Sequence, residues 1–124
     1  MSADDGKTRR PCAGTIVIVE DDEDVRETLR EFLEDHGFRV ATAADGVAAL
    51  ALLREVQACF ILLDLVMPVM DGWTFLRERE KDAQAAQIPL CISTSAPDKA
   101  PPGFPVIAKP VDVTKVLDAV RQHC

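Results

Sequence analysis

Residues 60–72 read Phe-Ile-Leu-Leu-Asp-Leu-Val-Met-Pro-Val-Met-Asp-Gly. The stretch begins as an apolar run suited to a strand that is buried on both faces, and the run stops at Asp64. The proline and the Asp-Gly pair after it are typical of a loop that leads into a helix. From this spacing alone, Asp64 could be a capping residue, a buried acid with a shifted pKa, or a nucleophile.

Three other apolar runs also end at polar side chains. Residues 15–19 are followed by Glu20, Asp21 and Asp22, residues 90–93 by Thr94, and residues 105–108 by Lys109. In an open parallel sheet, ligands gather outside the carboxyl ends of the strands. If these runs are parallel neighbours, carboxylates, a hydroxyl and an ammonium converge on one pocket. Such a pocket can bind a divalent cation, offer a carboxylate nucleophile and neutralise an incoming phosphoryl group.

The segments between the strands carry helical patterns. In the first of them, apolar residues recur at the spacing of an amphipathic helix, namely Val25, Leu29, Phe32 and Leu33, and His36 continues the same stripe. Residues 38–42 form a further strand pattern, so strand and helix alternate along almost the whole chain. This alternation predicts an α/β protein with a parallel sheet and helices on both faces.

The fourth crossover departs from this alternation. Only eleven residues separate Thr94 from Val106, and four of them are prolines, namely Pro97, Pro101, Pro102 and Pro105. Proline prevents a helix from continuing, and it restricts the residue before it to extended geometry. We therefore expect at most a single turn around residues 97–100, in place of a full helix.

Composition excludes several classes of function. A net charge of −7 argues against a direct nucleic-acid partner, because phosphate binding needs a basic face. No apolar stretch approaches the roughly 20 residues that span a bilayer, so we expect no membrane insertion. Residues 1–14 are polar and unlike a signal peptide, which predicts a flexible N-terminal tail followed by one domain over residues 15–124. We expect a cytoplasmic protein.

The four cysteines are Cys12, Cys59, Cys91 and Cys124. They include no Cys-x-x-Cys pair, which argues against a zinc site, and the absence of a secretion signal argues against a disulfide framework. Cys59 and Cys91 lie in apolar runs and are predicted to be small buried hydrophobic residues. A reducing compartment fits this prediction.

Together these motifs resemble the receiver domain of two-component response regulators, over residues 15–122. The matching segments are residues 16–22, 61–72, 88–95 and 109–110, and the Asp-x-x-Met-Pro-x-Met-Asp-Gly pattern within the second is the most specific. The resemblance implies a CheY-like, flavodoxin-like doubly wound sheet of five parallel strands in the order 2-1-3-4-5. The fourth helix of that fold would be shortened or absent here.

The resemblance also implies a role for each polar strand end. Asp64 would be the phospho-acceptor, taking a phosphoryl group from a sensor histidine kinase or a histidine phosphotransfer protein. Thr94 would be the switch hydroxyl, and Lys109 the lysine that pairs with the phosphoryl group. The protein would then be a phosphorylated signalling protein with self-catalysed phosphotransfer, and not an enzyme.

A magnesium ion is implied at the same place. Asp21, Asp64 and the main-chain carbonyl of Val66 would be direct ligands, and Glu20 would act through a water molecule. Mg²⁺ favours octahedral oxygen ligands, usually one or two carboxylates completed by waters and phosphate oxygens. The alternative from the residues alone is that Glu20, Asp21 and Asp22 only cap the first helix and favour its dipole.

Several alternatives stay open at this point. The output would be an unknown downstream protein, without direct DNA contact, and a homodimer is an alternative. A pseudo-receiver would keep the fold as an interaction module without phosphorylation. A haloacid-dehalogenase-like phosphatase also forms an aspartyl-phosphate, but it needs a second aspartate where Val66 stands, and a cap insertion for which the chain has no room.

Overall fold

A computed structural model describes residues 14–124, which contain one five-stranded parallel sheet. The strands lie in the spatial order β2-β1-β3-β4-β5, which confirms the predicted order 2-1-3-4-5. The tail predicted over residues 1–14 lies almost wholly outside the described residues. The strand bounds are β1 Thr15–Val19, β2 Arg39–Ala43, β3 Ala58–Asp64, β4 Leu90–Thr94 and β5 Val106–Ala108.

Within residues 14–124, four α-helices cover the two faces of the sheet. Each begins at an aspartate whose carboxylate accepts hydrogen bonds from N–H groups of the first turn; the four are Asp22, Asp45, Asp71 and Asp112. These acids satisfy donors that a helix leaves without partners at its start. None of the helices in the described part of the chain has the length and apolar character needed to cross a membrane. The helix bounds are α1 Glu23–Asp35, α2 Gly46–Glu55, α3 Gly72–Arg79 and α4 Val113–Arg121.

The sheet separates two apolar cores. One lies under α1 and α4, and it includes Leu29 and Val116 together with Phe60 from β3. The other lies under α2 and α3 and includes Phe75 and Leu63. Strands β1 and β3 contribute to both cores, because their alternate side chains point to opposite faces. The central strands are therefore held rigidly up to the residues where they end.

The fourth crossover contains a single 3-10 turn, Pro97–Lys99, as its prolines predict. Ala100 and Phe104 of this segment pack against the core under α3. Val106 belongs to the apolar run of residues 105–108, but it is 37% exposed. It begins the outermost strand, and no α-helix forms in the crossover before it to cover its outward side.

One prediction about the cysteines is wrong. Cys59 at the start of β3 and Cys124 beyond α4 form a disulfide, although we expected Cys59 to be an unlinked hydrophobic residue. The fold brings these two residues together across a sequence separation of 65, which no local pattern reveals. Cys91 is free and buried, as predicted.

Candidate functional site

The polar residues that follow the strands meet at one edge of the sheet. Val19 pairs with Leu63 in the register of β1 and β3, so that Glu20 and Asp64 follow side by side. On β4, Ser93 lies opposite Asp64 and Thr94 opposite Ala108, and Lys109 follows directly. The main-chain N–H of Lys109 donates to the Thr94 carbonyl at 2.9 Å, which continues the ladder by one residue.

Three carboxylates cluster at this edge. Oxygen atoms of Glu20, Asp21 and Asp64 all lie within 4.8 Å of one another. Glu20 and Asp64 are buried, with 2% and 4% of their surfaces exposed, whereas Asp21 faces solvent. Hard divalent cations such as Mg²⁺ prefer oxygen ligands of this kind, so the cluster has the right chemistry to hold one.

The ammonium group of Lys109 lies between the two buried acids. Its Nζ atom is 2.9 Å from Glu20 Oε1 and 3.4 Å from Asp64 Oδ1. Burial by itself would lower the pKa of this lysine, but the hydrogen bonds and charges of Glu20 and Asp64 together outweigh burial and raise the pKa. Lys109 is therefore a firmly protonated cation in direct contact with Asp64.

The carboxyl group of Asp64 has an unusual proton affinity. Burial first, and then the charge of Glu20, raise its pKa from 3.8 to about 7, although Lys109 and the Val66 N–H act in the opposite direction. A carboxylate with a raised pKa at the carboxyl end of a parallel strand is a candidate for a functional group. Any further cation placed among the three acids would favour its ionised form.

Thr94 and Val66 flank the acids. Thr94 is buried, and its hydroxyl oxygen accepts a hydrogen bond from the Ala96 N–H at 3.1 Å. The Val66 N–H points to Asp64 Oδ1 at 3.4 Å, whereas the Val66 side chain is 66% exposed. The loop after β3 thus folds back over Asp64 and keeps the main chain of Val66 close to it.

Sequence reasoning missed two contacts that shape the acidic cluster. The guanidinium of Arg26 donates to the main-chain carbonyl of Glu20 at 2.9 Å. The Asp22 N–H donates to Glu20 Oε2 at 3.1 Å, so both oxygens of Glu20 are engaged. Arg26 stands among many charged residues of α1, and nothing in the sequence pattern distinguishes it.

Comparison with known proteins agrees with this geometry. The family described as the response regulator receiver domain matches residues 16–121. The chain belongs to the response regulator receiver family. The receiver is 33% identical over 114 residues to the DNA-binding dual master transcriptional regulator RpaA of Synechocystis, of which it spans 47%. It is 31% identical to the protein PilH of Pseudomonas aeruginosa, covering 86% of this chain and 93% of PilH.

A solved structure supports the same assignment. The receiver superposes on the chemotaxis response regulator CheY4 of Vibrio cholerae with a TM-score of 0.78 at 27% identity. The match covers 87% of this chain and 96% of that one. The fold and the family therefore agree with the expectations drawn from the motifs. RpaA is a longer protein, and this chain aligns with less than half of its length.

Val69, in the loop between β3 and α3, is strained in this receiver. Its φ of 68° places a β-branched residue in the left-handed region, and its side chain is 82% exposed. Asparagine tolerates this conformation, so Val69→Asn should raise the free energy of unfolding by about 1 kcal/mol. Urea unfolding would measure the change. Val66→Asn is the matched control, since Val66 is exposed in the same loop without a positive φ; an equal gain there would contradict the strain argument.

Proposed function

We propose that this protein is a phospho-accepting receiver, which takes a phosphoryl group from the phosphohistidine of a sensor histidine kinase or a histidine phosphotransfer protein onto Asp64. The observation that carries the proposal is the position of Asp64. Its carboxyl group is buried at the end of a central strand, beside two further carboxylates and in contact with the ammonium of Lys109. This arrangement provides a nucleophile, a cation and ligands for a metal within one pocket.

The donor set fits Mg²⁺. Asp21, Asp64 and the main-chain carbonyl of Val66 would be direct ligands. Glu20 would act through water, because Lys109 and the Asp22 N–H already occupy its two oxygens. When bound, Mg²⁺ would offset charge on the phosphoryl oxygens and favour the ionised form of Asp64.

The residues of the chain would share the transfer step as follows. A carboxylate oxygen of Asp64 attacks phosphorus in line, the new P–O bond forms, and the P–N bond breaks with its electron pair going to the imidazole of the donor. Lys109 then pairs with a phosphoryl oxygen as a point charge. The Thr94 hydroxyl oxygen keeps accepting the hydrogen bond from the Ala96 N–H, and the hydroxyl donates a hydrogen bond to another phosphoryl oxygen. Catalysis of this kind is positioning and electrostatics.

The signal would leave the protein through protein contacts in the cytoplasm. A downstream partner, or a second copy of the chain, would recognise the phosphorylated state, and the charge of −7 gives no reason to expect direct DNA contact. The crossover that follows Thr94 is a proline-rich segment packed against α3. We therefore expect any phosphorylation-dependent change to involve residues 96–105.

Intact-mass spectrometry after incubation with acetyl phosphate and Mg²⁺ tests the proposed function. We expect one phosphoryl adduct on the wild-type protein, and none on Asp64→Ala or in the presence of EDTA. Asp71→Asn is the matched control, since Asp71 is an aspartate of the same loop that caps α3 and should not affect phosphorylation. No adduct on a wild-type protein that binds Mg²⁺ would overturn the proposal in favour of the pseudo-receiver.

A further inference from the structure

The disulfide between Cys59 and Cys124 lies far from the acidic cluster. Cys59 is at the start of β3, whereas Asp64 is at its end, five residues further, or roughly 17 Å along an extended strand. The Cα atoms of the two cysteines are 5.9 Å apart, within the usual range for a disulfide. Both residues are buried, with 6% and 4% of their surfaces exposed. This pair takes no part in the phosphotransfer chemistry proposed above.

The link closes a loop that contains most of the functional residues. Asp64, Thr94 and Lys109 all lie in the sequence between the two cysteines, whereas Glu20 and Asp21 lie outside it. Helix α4 begins four residues after Lys109, and its far end leads to Cys124. The disulfide therefore fixes one end of a helix whose other end adjoins the pocket.

Helix α4 depends on its attachment to the sheet. It has nine residues, which is shorter than the roughly 12–15 that an isolated helix needs for stability in water. Its buried side chains Val116, Leu117 and Val120 belong to the same core as Cys59 and Cys124. Just beyond the helix, the His123 ring stacks on Phe60 with centroids 5.8 Å apart. Loss of the covalent link would leave the end of the helix held by non-covalent contacts such as these.

The two cysteines differ in how easily they can be reached. Cys59 is the second residue of β3, the central strand of the sheet. Cys124 lies after the last helical turn, and its N–H donates to the Val120 carbonyl at 2.7 Å. Gln122 and His123 just before it are exposed. Unwinding of this single turn would expose Cys124 without disturbing the sheet.

We propose that Cys59 and Cys124 are a reversible redox pair that controls how firmly α4 is held on the sheet, with a low-molecular-weight disulfide as the oxidant. In the first step the Cys124 thiolate attacks one sulfur of that disulfide, forms a mixed disulfide and releases one thiolate. The Cys59 thiolate then attacks the Cys124 sulfur, forms the protein disulfide and releases the second thiolate. Two protein thiols lose two electrons and two protons, and the small disulfide becomes two thiols.

Cys91 provides a matched control within the same core. It is buried on β4, and burial raises the pKa of its thiol to about 11, which leaves almost no thiolate at neutral pH. It forms no disulfide in the structure. Cys91→Ala should therefore leave the redox response unchanged, whereas Cys59→Ala and Cys124→Ala should each remove it.

Native protein equilibrated in buffers of reduced and oxidised glutathione tests the proposal. Acid quenching, alkylation and peptide mass spectrometry should show a Cys59–Cys124 disulfide that rises and falls with the glutathione ratio. Reduction should lower the melting temperature by roughly 10 °C, in line with a closed loop of this length, and should speed amide hydrogen exchange in α4 at least tenfold.

Three results would overturn the proposal. The first is a dithiol that persists in oxidised glutathione, and the second is a disulfide that reduced glutathione does not open in the native protein. The third is equal hydrogen exchange of α4 in the two redox states. Redox titration of the wild-type protein separates these outcomes even if a cysteine variant fails to fold. Phosphorylation of Asp64 is not needed for any of these readouts.

Discussion

At pH 8 in EDTA, Asp64→Asn should raise the free energy of unfolding by about 3 kcal/mol, whereas at pH 4 the variant and the wild type should be nearly equal. In the folded protein, burial and Glu20 raise the pKa of Asp64 from 3.8 to about 7. The ionised carboxylate is thus destabilised by folding. A tenfold change in proton affinity corresponds to about 1.4 kcal/mol, so the full effect is about 4 kcal/mol, of which a buried asparagine recovers most.

The sign of the pH dependence follows from proton linkage. Between pH 4 and 7 the folded protein keeps a proton on Asp64 that the unfolded chain has released, so stability falls as the pH rises through this interval. Below pH 4 Asp64 is protonated in both the folded protein and the unfolded chain, so it no longer makes the free energy of unfolding depend on pH. The wild type should therefore lose stability from pH 4 to pH 8 relative to Asp64→Asn.

Urea unfolding followed by the fluorescence of Trp73, the single tryptophan, measures this difference. Asp71→Asn is the control, because hydrogen bonding by the Thr74 N–H lowers the pKa of Asp71 and its replacement should bring no gain at pH 8. Millimolar Mg²⁺ should stabilise the wild type and have less effect on Asp64→Asn, since the variant lacks one of the three clustered carboxylates. Equal stability of the wild type and Asp64→Asn at pH 8 would refute the argument.

The sequence predicts those features of the fold that depend on local patterns. The apolar runs and the helical spacing around Leu29 are enough to predict the alternating architecture, and the prolines of the fourth crossover predict its single turn. The ends of the apolar runs predict which polar residues follow the strands. Because the carboxyl ends of parallel strands share one edge, the convergence of Glu20 and Lys109 on Asp64 follows from the strand order.

Features that depend on contacts between distant segments could not be predicted in this way. The Cys59–Cys124 disulfide requires the end of α4 to reach the start of β3. The hydrogen bond from Arg26 to the Glu20 carbonyl requires a particular turn of the chain between β1 and α1. The exposure of Val106 reflects the absence of a helix in the crossover that precedes it.

Gly72→Ala should lower the free energy of unfolding by about 3 kcal/mol, although alanine has the higher helix propensity. Gly72 is the first residue of α3, and its N–H donates to the Leu65 carbonyl at 2.8 Å. A Cβ atom there would lie 2.7 Å from the Leu65 Cα and 2.8 Å from the Asp64 carbonyl oxygen. Both are main-chain atoms, which cannot move aside as the end of a flexible side chain can.

The same clash should reduce phosphorylation, because the strain can be relieved only by shifting α3 or the backbone at Asp64 itself. Gly103→Ala is the matched control: its φ of 95° makes alanine unfavourable by about 1 kcal/mol, but no atom lies within 4 Å of the added Cβ. Urea unfolding and the rate of adduct formation with acetyl phosphate should both separate the two variants. Gly72→Ala should lower both the free energy of unfolding and the rate of adduct formation. Gly103→Ala should show only a modest loss of stability. If Gly72→Ala were as stable as the wild type, close packing of α3 against the main chain at Asp64 and Leu65 would not be what holds the Asp64 carboxyl group in place.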